Sequence, residues 1–222
     1  MSQKIVPTKP LLIMLYGFPG SGKSYFARNL CEHFRAAHVQ GDRIRGELFE
    51  NPRFDKQENA VVTQLMDYMS HEFLNAGISV VYDMNSMRAA TRHQLREMAR
   101  KSHAQPLLIW LQIDTETAYA RVQARDRRRA DDKYAIPLDH ATFDDIATHM
   151  QNPQNIEDYI VISGKHTFKT QISAVAKRLR ELNLVRVEES NKANVVKPGL
   201  VNLIPNPMAG RVDMTRRNIV IR

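Results

Sequence analysis

The 222-residue sequence has one cysteine, Cys31, so no internal disulfide framework is available and a reducing compartment is expected. Long apolar runs are missing too. None approaches the ~18 residues of a membrane span, and Leu11–Tyr16 is the longest near the start. That run leads into a glycine-rich stretch and not into a cleavage site, which argues against a secretory signal. A cytoplasmic protein without membrane attachment is the expectation. There is no internal repeat and no zinc-ligand spacing, and the eight histidines are scattered, as surface or packing residues are. Hydrophobic content of 43% and charged content of 25% are ordinary, and the length suits one α/β domain with an appendage.

The formal charge is +8, but six basic residues and one acid from Lys192 onward hold +5 of it. Basicity is therefore concentrated in the tail. It can neutralise nucleic-acid phosphates or simply form a solvated surface.

The stretch that organises the chain is Gly17-Phe18-Pro19-Gly20-Ser21-Gly22-Lys23-Ser24. It has the spacing G-x-x-x-x-G-K-S and lies between an apolar, strand-like run and a helical pattern opened by Tyr25. Glycines let the backbone curl so that successive N–H groups point at phosphate oxygens. A helix beginning near Lys23 adds its positive end. Lys23 supplies an ammonium for the β- and γ-phosphates and Ser24 a hydroxyl for Mg²⁺. The predicted nucleotide-binding residues are thus Gly17 to Ser24 with Tyr25, and the predicted ligands are ATP and Mg²⁺.

Taken in order, residues 1–10 read as a polar leader broken by Pro7 and Pro10. The helix predicted over Lys23–Ala36 carries Phe26, Leu30 and Phe34 on one stripe, with Cys31 beside it. A short strand then ends at Gly41-Asp42-Arg43-Ile44-Arg45. Ligands of open parallel sheets gather beyond the carboxyl ends of strands, so Asp42 and Arg45 are expected to face the phosphate crevice. Asp42 can accept a proton from a substrate hydroxyl while Arg45 grips an anion, or it can merely cap the following helix. A helix over Gln57–Ala76 is expected to turn Val61, Val62, Leu65, Met66, Met69 and Phe73 inward, with Gly77 past its end. The strand Ile78–Tyr82 runs into Asp83, placed to hold Mg²⁺. Arg88–Ser102 is an arginine-rich helix with Leu95 and Met98 inward, followed by a strand over Leu107–Ile113 that carries Trp110. Asp114 caps the next helix.

The densest charge lies around Arg125, Asp126, Arg127, Arg128 and Arg129. It is either a solvated helix end or a lid, about 125–136, that swings a cation over the phosphates. Arg125 and Arg129, one turn apart, are the candidates. A helix at Asp139–Met150, a fifth strand at Tyr159–Ile162 and a closing helix at Phe168–Leu182 complete the unit. After it, apolar pairs around a Pro/Gly turn suggest a β-hairpin or arm.

The P-loop, Asp42-Arg43-Ile44-Arg45, Asp83-Met84-Asn85 and Arg125–Arg129 followed by Ala135-Ile136-Pro137 resemble the zeta-toxin-like and polynucleotide 5′-hydroxyl-kinase-like branch of P-loop kinases, AAA-type ATP-binding small kinases. The resemblance covers residues 11 to about 183. It implies a three-layer P-loop NTPase fold, α/β, with a five-stranded parallel sheet between helices. It also implies a kinase domain over 1–183, and the apolar pairs beyond it make 184–222 a C-terminal β-rich extension, a hairpin or arm. Asp42 then matches a general base, Arg45 a clamp on the acceptor's phosphate, and Arg129, supported by Arg125, the lid arginine. Ser24 and Asp83 match the Mg²⁺ site. The implied reaction is transfer of the γ-phosphoryl group of ATP to a hydroxyl, with a nucleic-acid 5′-hydroxyl as leading acceptor. A small-molecule acceptor, or an ATP-binding regulatory module without an acceptor, is the alternative. No D-x-D-G-T-like stretch supplies a second, phosphatase domain.

Overall fold

Five apolar runs pair in parallel in the order β2-β3-β1-β4-β5. Parallel neighbours need long crossovers, and helices supply them. The computed structural model describes residues 5–185, apart from 127, 129–131 and 136. The element order is β1 (Leu11–Tyr16), α1 (Lys23–His33), β2 (Ala36–Gln40), α2 (Gly41–Leu48), α3 (Lys56–Asn75), β3 (Ser79–Asn85), α4 (Ala89–Lys101), β4 (Gln105–Gln112), α5 (Thr115–Gln123), α6 (His140–Thr148), β5 (Tyr159–Ser163) and α7 (Phe168–Glu181). The predicted five-stranded parallel sheet between helices is what the chain forms. Of the extension expected over 184–222, all but Leu184 and Val185 lies outside the described residues. Among those residues no helix is long and apolar enough to cross a membrane.

β1 is wholly buried because it is central and covered on both faces. Leu11, Ile13 and Leu15 face α1 and α7, where Phe26, Leu30, Phe34, Val175 and Leu179 pack. Leu12, Met14 and Tyr16 face α3 and α4. Full burial of each large side chain in the Phe26–Leu30–Phe34 stripe stabilises the fold by roughly 1.5–3 kcal/mol.

Four local expectations are corrected. The first helix stops at His33, not Ala36, because Phe34 is extended and enters the core. Its neighbours' backbone groups instead pair with the leader: Ile5 N–H donates to His33 O (2.9 Å) and Arg35 N–H to Ile5 O (3.1 Å). The leader is thus partly structured, and Pro7 also bridges Val185. On α3 the buried line is Glu58, Val62, Met66, Ser70 and Leu74, a strict i, i+4 series. Val61 lies outside it and is exposed. On α4 the inward positions are Arg92, Leu95 and Ala99, so a charged residue occupies the core face.

Candidate active site

β1 lies between β3 and β4, and the chain leaves it first toward β2 and β3 and later toward β4 and β5. The crevice of an open parallel sheet opens at such a switch point. Residues 17–22 turn there. Gly22 holds φ 94° and ψ 19° as the N-cap of α1, a left-handed conformation that glycine adopts without steric cost. The cap uses no side chain and the first turn carries no acid. The N-terminal N–H groups and the positive end of the helix dipole are therefore presented to the loop. Phe18 anchors the loop sideways on Phe143 of α6, with ring centroids 6.4 Å apart. Ser21 is wholly buried, Tyr25 stands exposed, and Pro19 and Gly20 complete the turn.

Lys23 Nζ donates to Gly17 O (2.9 Å) and Phe18 O (2.8 Å), so its ammonium sits inside the curl of the loop. Burial pushes it down to about 8, while Asp83 and Asp42 pull upward and Arg125 adds to the lowering. Ser24 Oγ donates to Asp83 Oδ1 at 3.0 Å. The predicted Mg²⁺ pair, 59 residues apart in sequence, is thereby one hydrogen bond apart in space. Hydroxyl and carboxylate oxygens are hard donors, a set that suits Mg²⁺ shared with phosphates. Asp83 belongs to β3, which runs through it to Asn85, and it pairs in register with Gln40 of β2.

Asp42 lies two residues past β2, in the first turn of α2. The N-cap there is Gln40. Burial pushes the Asp42 carboxyl up to about 6; the Asp83 charge adds to the rise, and Arg45, Arg125 and Lys23 oppose it. Burial lowers the Arg125 guanidinium, against the charges of Asp132 and Asp42. Lys23, Asp42, Asp83 and Arg125 thus share one electrostatic neighbourhood, although they come from four segments.

Arg45 sits one turn from Asp42 but meets other partners. Its buried guanidinium donates through Nη1 to Glu58 Oε2 (3.1 Å) and through Nη2 to Asn59 Oδ1 (2.5 Å). The Phe54 ring lies 4.9 Å from it. Glu58 also accepts the backbone N–H groups of Arg53 and Phe54, both at 2.8 Å. One carboxylate therefore shapes the turn before α3 and neutralises Arg45.

The lid expectation is described in part, and Arg129 lies outside the described residues. Tyr134 donates to Glu47 Oε1 at 2.8 Å. Its ring lies so close to Gly46 that a Cβ there would come within 2.8 Å of it. The segment after α5 thus rests on the helix that carries Asp42.

Several neighbours of the site were not expected from sequence. His38 of β2 donates from Nε2 to Asp83 Oδ2 at 2.9 Å. Arg121 donates to Gly164 O at 2.8 Å, joining α5 to the end of β5. A cavity of about 720 Å³ adjoins the loop, lined by Gly17, Phe18, Trp110, Gln112, Met150 and Asn152 among others. Tyr16, also lining it, bonds Asn152 Oδ1 at 2.8 Å and meets Trp110 edge-on.

A phosphate loop at the switch point of a five-stranded parallel sheet, facing a strand-end acid, defines a P-loop nucleotide-binding fold. The family model described as "AAA domain" matches residues 12–153, and the chain belongs to that family. No curated protein matches the sequence. Among solved structures the chain is similar to Kti12 of Chaetomium thermophilum in complex with ADP-AlF3 (16% identity, TM-score 0.59, covering 77% of this chain and 98% of that one). It is similar also to the APS kinase CysC of Mycobacterium tuberculosis in complex with AMPPNP and APS (19%, 0.56, 78% and 99%). A third likeness is to a chain of the Pnkp1/Rnl/Hen1 RNA repair complex (18%, 0.55, 64% and 44%). At these identities the likeness is one of fold.

Proposed function

We propose that the protein is an ATP-dependent kinase that transfers the γ-phosphoryl group to a hydroxyl, with a nucleic-acid 5′-hydroxyl as acceptor. The observation that carries the reading is the Ser24–Asp83 bond beside Lys23, with Asp42 facing the same charges. In this mechanism the amides of residues 17–24 and the Lys23 ammonium bind the triphosphate. Ser24 and Asp83 hold Mg²⁺, which supplies neutralisation of phosphate charge when bound. Asp42 accepts the proton of the acceptor hydroxyl as its oxygen bonds to the γ-phosphorus, and the bond to the β,γ-bridging oxygen breaks to release ADP. Arg125 faces the charge that develops on the transferring group.

A nucleic-acid acceptor is supported by the Asp42-x-x-Arg45 spacing, by the basic sequence after Lys192 and by the likeness to a chain of an RNA repair complex. One observation favours a small-molecule acceptor instead: Glu58 and Asn59 already occupy the Arg45 guanidinium, so its charge is not offered outright to an acceptor phosphate. The likeness to a kinase in complex with APS agrees with that second reading.

The test is incubation of the full chain with γ-labelled ATP and Mg²⁺, offering a 5′-hydroxyl oligonucleotide beside a panel of sugars, nucleosides and antibiotics. The expected result is label on the oligonucleotide. Label on a small molecule moves the acceptor to the second reading. Hydrolysis with no labelled acceptor contradicts the kinase reading and leaves an ATP-binding regulatory module.

A further inference from the structure

The carboxylate of Asp83 is engaged at both oxygens. Oδ1 accepts the Ser24 hydroxyl at 3.0 Å and Oδ2 accepts His38 Nε2 at 2.9 Å. The torsion that sets the plane of an aspartate carboxylate is broad and roughly two-fold, so one bond alone fixes it poorly. Two bonds, one to each oxygen, fix it well. His38 comes from β2, whose parallel register with β3 pairs His38 with Val81 and Gln40 with Asp83. The imidazole is therefore held by the sheet and not by a loop. Its side chain is 21% exposed and that of Asp83 is 3% exposed, so the carboxylate that it meets is buried. A carboxylate oxygen only accepts, hence Nε2 carries the proton whether the ring is neutral or charged, and the bond survives either state.

From this geometry we infer that His38 is a positioning residue for the metal carboxylate. By donating to Oδ2 it holds Asp83 so that Oδ1 faces Ser24 and the divalent cation accompanying a nucleoside triphosphate. The role rests on the kinase reading above. Outer partners of metal ligands act in this way, and their loss weakens metal binding about 10–100-fold.

The probe is Mn²⁺ titrated into the full chain with a non-hydrolysable ATP analogue and followed by electron paramagnetic resonance. Nucleotide affinity without divalent ion and the melting temperature are measured alongside. His38→Ala is expected to weaken Mn²⁺ about 10–100-fold and to leave metal-free nucleotide affinity unchanged. In His38→Gln the side-chain amide nitrogen is as many bonds from Cβ as Nε2 is, so Mn²⁺ affinity is expected to recover. The shorter His38→Asn is expected to behave like alanine. Unchanged Mn²⁺ affinity in His38→Ala, or a loss that His38→Gln does not restore, overturns the role. Wild-type protein that binds no Mn²⁺–nucleotide overturns the kinase reading, and this role with it. If His38→Ala does not fold, the glutamine–asparagine pair decides, together with the ¹⁵N signature of Nε2–H in the wild type and its change in Asp83→Asn. A wild-type His38 that carries its proton on Nδ1 alone overturns the proposal.

Discussion

Asp42→Asn is expected to lower turnover by about 10²–10⁴-fold while nucleotide affinity stays unchanged. The substitution keeps the size of the side chain and removes the group proposed to take the acceptor's proton. The proton balance of the wild type adds a second signature. Burial holds the Asp42 carboxyl up near 6, and it must be deprotonated to act as a base. The kcat/KM of the wild type therefore rises with pH through about 6 and levels off above it. Stability moves the other way. The folded-state value lies above the ordinary 3.8, so in that window the folded chain holds a proton that the unfolded chain has released. The contribution of this group is full below about 4 and is lost as pH rises through about 6. In Asp42→Asn both dependences flatten over the same window. Unchanged turnover, or a pH profile that still bends near 6, contradicts the assignment.

Arg92→Met is expected to destabilise the domain by about 3–5 kcal/mol, the usual cost of leaving a buried charge without its partner. Arg92 is wholly buried, a large charged side chain in the core of the described residues. It donates through Nε to Glu157 Oε2 (2.7 Å), through Nη2 to Glu157 Oε1 (2.9 Å), and through Nη1 to Ser86 O and Gln151 O (both 3.0 Å). The Tyr16 ring lies 5.3 Å from the guanidinium. One side chain thus ties the residue after β3 to the segment between α6 and β5, whose Met150 and Asn152 line the cavity beside the P-loop. Arg96, 3.2 Å from Glu157, stays in the variant and compensates in part. For a domain of this size each kcal/mol lowers the melting temperature by about 2–4 °C. The companion variant Arg92→Met/Glu157→Met removes both charges and is expected to recover much of the loss. A chemical denaturation midpoint close to wild type in Arg92→Met contradicts the account.

The sheet and the loop were legible because their signals are local. A run such as Leu11–Tyr16 declares a buried strand, and a glycine-rich stretch between strand and helix declares the turn that joins them at the sheet's crevice. The place of Asp83 near the end of β3, beside Ser24, was legible for the same reason, since it follows an apolar run at the third strand. What escaped depended on register and on distant partners. His38 and Asp83 meet because Gln40 pairs with Asp83 across β2 and β3, and nothing near either residue specifies that pairing. Arg45 carries a recognisable spacing, but its guanidinium is met by Glu58 and Asn59 from the next helix, where the pattern showed only a helix start. Arg92 sits in an arginine-rich stretch that reads as a solvated face. Burial there depends on Glu157, which is 65 positions away. Val61 and Val62 are equivalent in composition and adjacent in sequence. The choice between them follows from how α3 lies on the sheet.

The central claim is that the curl of residues 17–24, with Lys23 inside it, grips a nucleoside triphosphate. Calorimetric titration of ATP in the presence of Mg²⁺, into the wild type and into Lys23→Ala, tests it most directly. One saturable site in the wild type, lost or strongly weakened in a Lys23→Ala protein that still melts cooperatively, is the predicted result. Equal affinity in the two proteins, or no saturation in the wild type, contradicts it.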